Sequence, residues 1–414
     1  MTPSPGAARI ALFVGKGGVG KSTLACATAV RAARDGEQVL IVSTDQAHSL
    51  GDVLGVDVPP GGPDAAVRVL DGEFDGPLDA LALDTLALLE QGWGSAAEVV
   101  AQRYPDSEIG DLAPEELSAL PGIQEVLGLH TVAELADSGR WDLVVVDCAS
   151  TADALRMLTL PGAFGLYLER AWPQHRRLSS VTDRSGAAVV TLLERMAAGM
   201  DGLSALLGRG DRVGAHLVLT PEKVVAAEAV RTLGALSLMG VRVDRLIVNQ
   251  VLLQDDSYEY SNLPEHPAFD WYAARINEQQ RVLAELSATI GDVELALAPH
   301  FPGEPIGAAS LGELLDAVVY RNGAAPPGPL RPVIDLESGS GLGSIYRMRL
   351  ELPQVDSGSL TLGRVDDDLV IGTGGLRRRV RLASVLRRCT VVDAALRGTE
   401  LTVRFRPNPE VWPA

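Results

Sequence analysis

Short, unbroken apolar runs punctuate the first part of the chain: Ile10 to Val14, Gln38 to Ser43, Leu143 to Asp147, His216 to Thr220 and Arg245 to Asn249. Each is dominated by Val, Leu and Ile without polar alternation, the pattern of a strand buried on both faces. Helical stretches long enough for a crossover separate them. The predicted fold is α/β, a parallel sheet flanked by helices, with ligands expected at the carboxyl ends of the strands.

Two stretches fall outside this alternation, about 75–135 and 162–212, and both read as helical inserts. In the second, Val189, Leu192, Leu193, Met196, Met200, Leu203 and Leu207 recur at spacings of three and four, forming one apolar stripe on a helix. The stripe is either ordinary core or the lining of a groove for a hydrophobic client, a task suited to methionine's adaptable side chain. Leu-rich residues 78–89 pose the same choice. From 321 to 344 the composition turns to Pro, Gly and Ser, the mark of a linker. Beyond it the period becomes two: Tyr346, Met348, Leu350 and Leu352 alternate with Arg347, Arg349 and Glu351. Leu401, Val403 and Phe405 alternate likewise with Thr402, Arg404 and Arg406. Residues 345–408 therefore read as a small all-β sandwich. Within it, Arg377 to Arg381 alternates with Val380 and Leu382 and reads as a solvated strand face. Residues 1–8 are expected to be disordered and 409–414 to form a tail.

Composition narrows the function classes. At 414 residues, 46% apolar and 22% charged, the chain has material for two or three packed domains. No apolar run reaches the ~18 residues of a membrane span, and Met1 to Ala8 lacks the regions of a secretion signal. A cytoplasmic location is expected. The formal charge of −18 would repel phosphate backbones and anionic headgroups, which argues against nucleic acid and leaves at most indirect membrane contact. Cys26, Cys148 and Cys389 lie far apart without a CxxC, so reduced thiols are expected, with no disulfide framework. Of 36 basic residues only Lys16, Lys21 and Lys223 are lysine. Two of them within six residues mark a place that needs a compact ammonium rather than a flat guanidinium.

That place is Gly15-Lys16-Gly17-Gly18-Val19-Gly20-Lys21-Ser22-Thr23, which matches G-x-x-x-x-G-K-[ST] after a buried strand and at the start of a helix. Successive backbone N–H groups and the positive helix end can cradle the phosphates of ATP. Lys21 then reaches the β- and γ-phosphates as a point charge, and Ser22 offers its hydroxyl to Mg²⁺.

The form Gly-Lys-Gly-Gly-Val-Gly-Lys-Ser-Thr resembles the deviant phosphate loop of the MinD, ParA, nitrogenase iron-protein and arsenite-pump ATPases. That resemblance implies that Lys16 contacts nucleotide across the interface of a homodimer. Asp45-Gln-Ala-His-Ser-Leu-Gly-Asp52 resembles the first switch of the arsenite-pump and tail-anchored-protein-targeting ATPase family, with Gln46 in place of the usual proline. It implies that Asp45 positions the attacking water, although an N-cap or turn aspartate would look the same. Asp147-Cys-Ala-Ser-Thr-Ala-Asp-Ala-Leu-Arg156 is similar to the second switch, with Ala152-Asp153 where Gly-His is usual. It implies that Asp147 stands near Mg²⁺ and acts through water. Thr220-Pro-Glu222, Glu228, Arg231 and Val248-Asn249-Gln250 resemble the adenine-side pattern, which implies nucleotide-binding roles for Glu222 and Asn249. For Glu222 a simple helix N-terminal charge is the alternative. The resemblance covers residues 9–320, and the C-terminal region resembles an α-crystallin, or small heat-shock, domain.

What the resemblance implies is Mg-dependent ATP hydrolysis in a nucleotide-gated homodimer, acting as a chaperone or targeting factor for hydrophobic protein segments. The alternatives are the driving subunit of an arsenite or other anion efflux system and a positioning ATPase of the MinD or ParA type. Zinc-bridged members carry two cysteines three residues apart where this chain has Phe269 and Tyr272, so no zinc staple is expected. The scattered cysteines read as small buried hydrophobes rather than arsenite ligands. His48, His130 and His300 show no metal-ligand spacing, and the end Asn-Pro-Glu-Val-Trp-Pro-Ala is no membrane-binding helix.

Overall fold

The computed structural model describes residues 6–45, 49–71, 76–90, 123–160, 198–252, 265–291, 293–321, 332–355, 357–373 and 375–412. The predicted runs become β1 (Arg9–Gly15), β2 (Val39–Ser43), β6 (Leu143–Asp147), β7 (Val213–Leu219) and β8 (Arg242–Val251) of one ten-stranded sheet. The others are β3 (Pro60–Gly61), β4 (Val67–Leu70), β5 (Leu78–Leu83), β9 (Glu294–Pro299) and β10 (Val319–Arg321). Their order is β10-β9-β8-β7-β1-β6-β2-β5-β3, with β4 on β5. The pairs are parallel except at β4 and β10. Unbroken apolar runs follow from burial on both sides: Ile10, Leu12 and Val14 of β1 enter one core cluster, and Ala11 and Phe13 enter the other. Helix α1 (Lys21–Arg34) covers the second face through its alanine-rich side, with α2 (Ser49–Leu54) beside it.

The helical reading of 75–135 is corrected at residues 78–83, which form β5 parallel to β2. Asp79 is buried there because Arg68 Nε at 2.6 Å and Trp141 Nε1 at 2.9 Å donate to it. Helix follows at Ile123–Asp137, and 91–122 lie outside the described residues. Of the apolar stripe, Val189 to Met196 lie outside them too. Leu203 and Leu207 are buried in the first core cluster with Met200 packed against it, so these positions are core rather than groove. Among the described residues no helix is long and apolar enough to cross a membrane.

The C-terminal strands form a four-stranded antiparallel sheet, β11-β12-β17-β16, and a three-stranded one, β13-β14-β15. Their ranges are β11 Val333–Ser338, β12 Ile345–Glu351, β13 Thr361–Val365, β14 Asp368–Thr373, β15 Leu376–Arg381, β16 Cys389–Arg397 and β17 Glu400–Pro407. Met348, Leu350, Leu401, Val403 and Phe405 point into a shared core, as the period of two requires. The linker reading of 321–344 is corrected at β11, which pairs with β12 through Asp335 opposite Arg347. The solvated reading of the arginine run holds for Arg377 and Arg381; Arg379 pairs with Asp368, and Arg378 turns inward.

Mid-sheet, the ring of His216 on β7 stacks on Phe13 at 4.8 Å, and its Nδ1 is buried without a hydrogen-bond partner among the described residues. Burial, helped by the charges of Arg245 and Arg242, holds the imidazole down at about 3. A folded-state value below the unfolded one means stability is intact above pH ~6.5 and is lost as pH falls from there towards 3. The parent should therefore lose ~2 kcal/mol more than His216→Leu between pH 7.5 and 5, read by urea unfolding. Equal losses would clear His216 of the effect.

Candidate nucleotide site

Three neighbouring strands deliver the site. β1 lies between β6 and β7, and β6 also pairs with β2, so Gly15, Ser43 and Asp147 end at one edge, with Asp147 opposite both Phe13 and Ser43. The loop 15–20 leaves β1 there and enters α1 at Lys21. Gly20, with φ 87°, leaves no room for a Cβ, which would overlap the Asn249 amide. Val19 is buried as the loop's anchor, while Lys16, Gly17 and Gly18 are exposed.

The predicted residues converge here. Lys21 is buried at 8% exposure and its Nζ donates to the Lys16 carbonyl at 3.4 Å. Ser22 Oγ accepts from Ser49 Oγ at 3.2 Å. Asp147 is fully buried, and neither carboxylate oxygen has a partner in good hydrogen-bond geometry among the described residues. Burial pushes its carboxyl up to about 6, against the lowering influence of the Ser22 hydroxyl and the Lys21 ammonium; the charge of Asp45 raises it further. Asp45 follows β2, its N–H donating to Ser43 Oγ at 3.2 Å, while Thr44 N–H donates to the Asp147 carbonyl at 3.0 Å. The two carboxylates are thus held at adjacent strand ends.

A buried carboxylate with no well-placed donor among the described residues, beside the Ser22 hydroxyl and behind a glycine-rich loop, suits a hard divalent cation. Among the described residues no group of three or more His, Cys, Asp or Glu could hold a metal alone. A cation here would therefore draw its remaining ligands from phosphates and water.

Other predicted residues take posts the sequence did not specify. Asn249 Nδ2 donates to the Val19 carbonyl at 2.9 Å, so this amide braces the loop. Gln250 follows it in the left-handed region at φ 59°, its carbonyl accepting from Gln279 Nε2 at 3.3 Å. Glu222, at the start of the Lys223–Met239 helix, is ion-paired with Arg275 of the Pro267–Thr289 helix. Lys16 Nζ lies 3.5 Å from Glu228 Oε2. In the second switch Ser150 Oγ accepts from the Asp153 N–H at 3.4 Å and so caps the helical residues 151–160, while it donates to the Asp153 carboxylate at 2.7 Å and that carboxylate pairs with Arg156. Phe269 and Tyr272 lie in the first turns of the Pro267–Thr289 helix. His48 lies outside the described residues. Ser49 lies inside the Asp45 to Asp52 motif but has no role of its own in the sequence reading, and Gln279 is not singled out there at all; their partners lie 27 and 29 residues away.

Residues 8–320 match the family described as anion-transporting ATPase, and residues 343–405 match the HSP20-like domain found in ArsA. The chain is similar to protein Rv2184c of Mycobacterium tuberculosis, 69% identical over 414 residues and 99% of each chain. The putative arsenical pump-driving ATPase 1 of Aquifex aeolicus is 26% identical over 414 residues, 95% of this chain and 99% of that protein. ATPase get3 of Schizosaccharomyces japonicus is 27% identical over 326 residues, 75% of this chain and 92% of that one. With its phosphate loop, paired strand-end carboxylates and a family match spanning three-quarters of its length, the chain belongs to the anion-transporting ATPases, and it is an ATPase followed by an HSP20-like domain.

Proposed function

We propose that the protein hydrolyses ATP with Mg²⁺ in a homodimer gated by nucleotide, and that this cycle serves the handling of hydrophobic polypeptide segments. The observation that carries the catalytic half is the buried Asp147 carboxylate, without a partner in good hydrogen-bond geometry among the described residues, beside Ser22 and Lys21. The loop amides and Lys21 bind and orient the phosphates. Ser22 directly and Asp147 through water would hold Mg²⁺, which when bound offsets the negative charge of the β- and γ-phosphates. Asp45 orients the attacking water and takes its proton. Glu222 and Asn249 stand on the adenine side, the latter through whatever donor and acceptor capacity its bond to Val19 leaves.

Lys16 supports the dimer. Its side chain is half exposed and engaged by a single carboxylate, so it can swing to a phosphate on a facing protomer. Two protomers bring formal charges of −18 each towards two triphosphates, and beyond ~8 Å salt screens them; local cations must do the rest. Lys16→Ala should fold normally yet form markedly less dimer in sedimentation with Mg·ATP, and equal dimer in both proteins would overturn the reading.

The HSP20-like domain supports a polypeptide client. Anion efflux is the second reading, favoured by relatives named as arsenical pump-driving ATPases. Against it, Cys26, Cys148 and Cys389 are buried in three different core clusters, and burial together with the Asp147 charge pushes the Cys148 thiol up to about 12. These thiols offer no converging thiolate set.

A further inference from the structure

The Lys223–Met239 helix has one end at the phosphate loop and the other in the β domain. Near its start, Glu228 holds Lys16 at 3.5 Å, and Val225, Ala229 and Thr232 line a small cleft with Gly15 and Lys16. Near its end, Leu238 is fully buried in the same apolar cluster as Met348, Leu369, Ile371 and Val380 of the β domain. Glu228 and Leu238 are ten residues apart, about 15 Å along the axis.

The packing at the far end is close enough to be specific. Gly234 weakens the helix interior, yet a Cβ there would lie 2.5 Å from the backbone carbonyl of Gln354. Gln354 itself adopts φ 62°, and its side-chain amide donates to the carbonyl of Thr289 at the end of the neighbouring Pro267–Thr289 helix. At Gly240, which closes the helix, a Cβ would lie 2.7 Å from Arg378 Nη2. Arg378 is the member of an otherwise outward-facing arginine run that turns towards this junction. A missing side chain, a left-handed glutamine and an inward arginine at one seam are features of a built interface rather than of two domains on a string.

We propose that the β domain is a fixed regulatory arm of the ATPase: it clamps the end of the Lys223–Met239 helix and thereby sets where Glu228 holds Lys16. The proposal rests on the reading that Lys16 serves the nucleotide cycle. The helix is the continuous element that joins the two contacts, so a shift at Leu238 is carried to Glu228, and closure at Lys16 acts back on the β domain by the same linkage.

The test uses the full chain. Gly234→Leu should displace the β domain, seen as a larger radius of gyration in X-ray scattering, and shift the half-maximal ATP concentration for hydrolysis about fivefold or more. Arg378→Ala, on the β-domain side and away from the nucleotide, should do the same more weakly and guards against a Gly234 variant that fails to fold. Glu228→Gln should shift the ATP response by itself, and Glu228→Gln with Arg378→Ala should shift it no further than the larger single change. Undocking with an unchanged ATP response, while Glu228→Gln changes it, overturns the coupling and leaves the Lys16 reading standing. No effect of Glu228→Gln overturns the route through the ion pair. Independent effects that simply add overturn it as well.

Discussion

Asp45→Asn is expected to slow ATP hydrolysis ~10²-fold or more while ATP affinity stays within a fewfold of the parent. In the proposed site the phosphates are held by the loop, Lys21 and Ser22, and Asp45 is assigned only to the attacking water. Asparagine keeps the size and shape of the side chain but carries no charge and is a far poorer proton acceptor. The loss should therefore fall on turnover, because orienting the water matters mainly in the transition state. Single-turnover hydrolysis and equilibrium binding of ATP separate the two quantities. Near-normal turnover would mean that the water is held elsewhere, with the exposed Asp52 of α2 the first alternative to examine. Lost binding would make Asp45 structural.

Asp147→Asn should move activity and stability in opposite directions. A carboxylate that steadies a cation through water is worth about 10- to 100-fold, so Mg-dependent hydrolysis should fall by roughly that much. The nucleotide-free protein, however, should become more stable at neutral pH. Raising a carboxyl from its ordinary range to about 6 costs the folded state up to ~3 kcal/mol whenever the group is ionised, and the amide removes that charge. The sign follows from a folded-state value above the unfolded one: the parent carries the penalty above pH 6 and sheds it as pH falls through 6 towards 4. The stability gap between variant and parent should accordingly close on acidification. A variant no more stable than the parent at pH 7.5, with hydrolysis intact, would make Asp147 an ordinary partnered side chain.

The candidate site was legible where its residues are local in sequence. Loop, strand and helix lie within 26 consecutive residues, Arg9 to Arg34, and both switch carboxylates stand at the ends of apolar runs. What escaped is carried by partners far away in the chain. Glu228 and Asn249 stand in a recognisable motif, but nothing in it foretells that Glu228 meets Lys16 or that Asn249 meets Val19 across 230 positions. β5 was hidden for a related reason. Leu78-Asp-Ala-Leu-Ala-Leu83 is built from good helix formers and contains a charge, and only pairing with β2 and the donors on Asp79 make it a strand. β11 sat unseen beside a proline- and glycine-rich stretch, because Asp335 and Glu337 find their reason in Arg347, Arg349 and Arg404 on other strands.

The near-absence of lysine turns the phosphate loop into an address for amine chemistry. Lys21 is sequestered, while Lys16 is half exposed and Lys223 exposed. An acylating reagent or a lysine acetyltransferase acting on this ATPase therefore meets two accessible side-chain amines, one of them poised in the nucleotide loop. Acylation at Lys16 removes the charge that answers Glu228, so a surface modification that is incidental on most proteins would here fall on the residue to which the proposed cycle assigns the dimer contact.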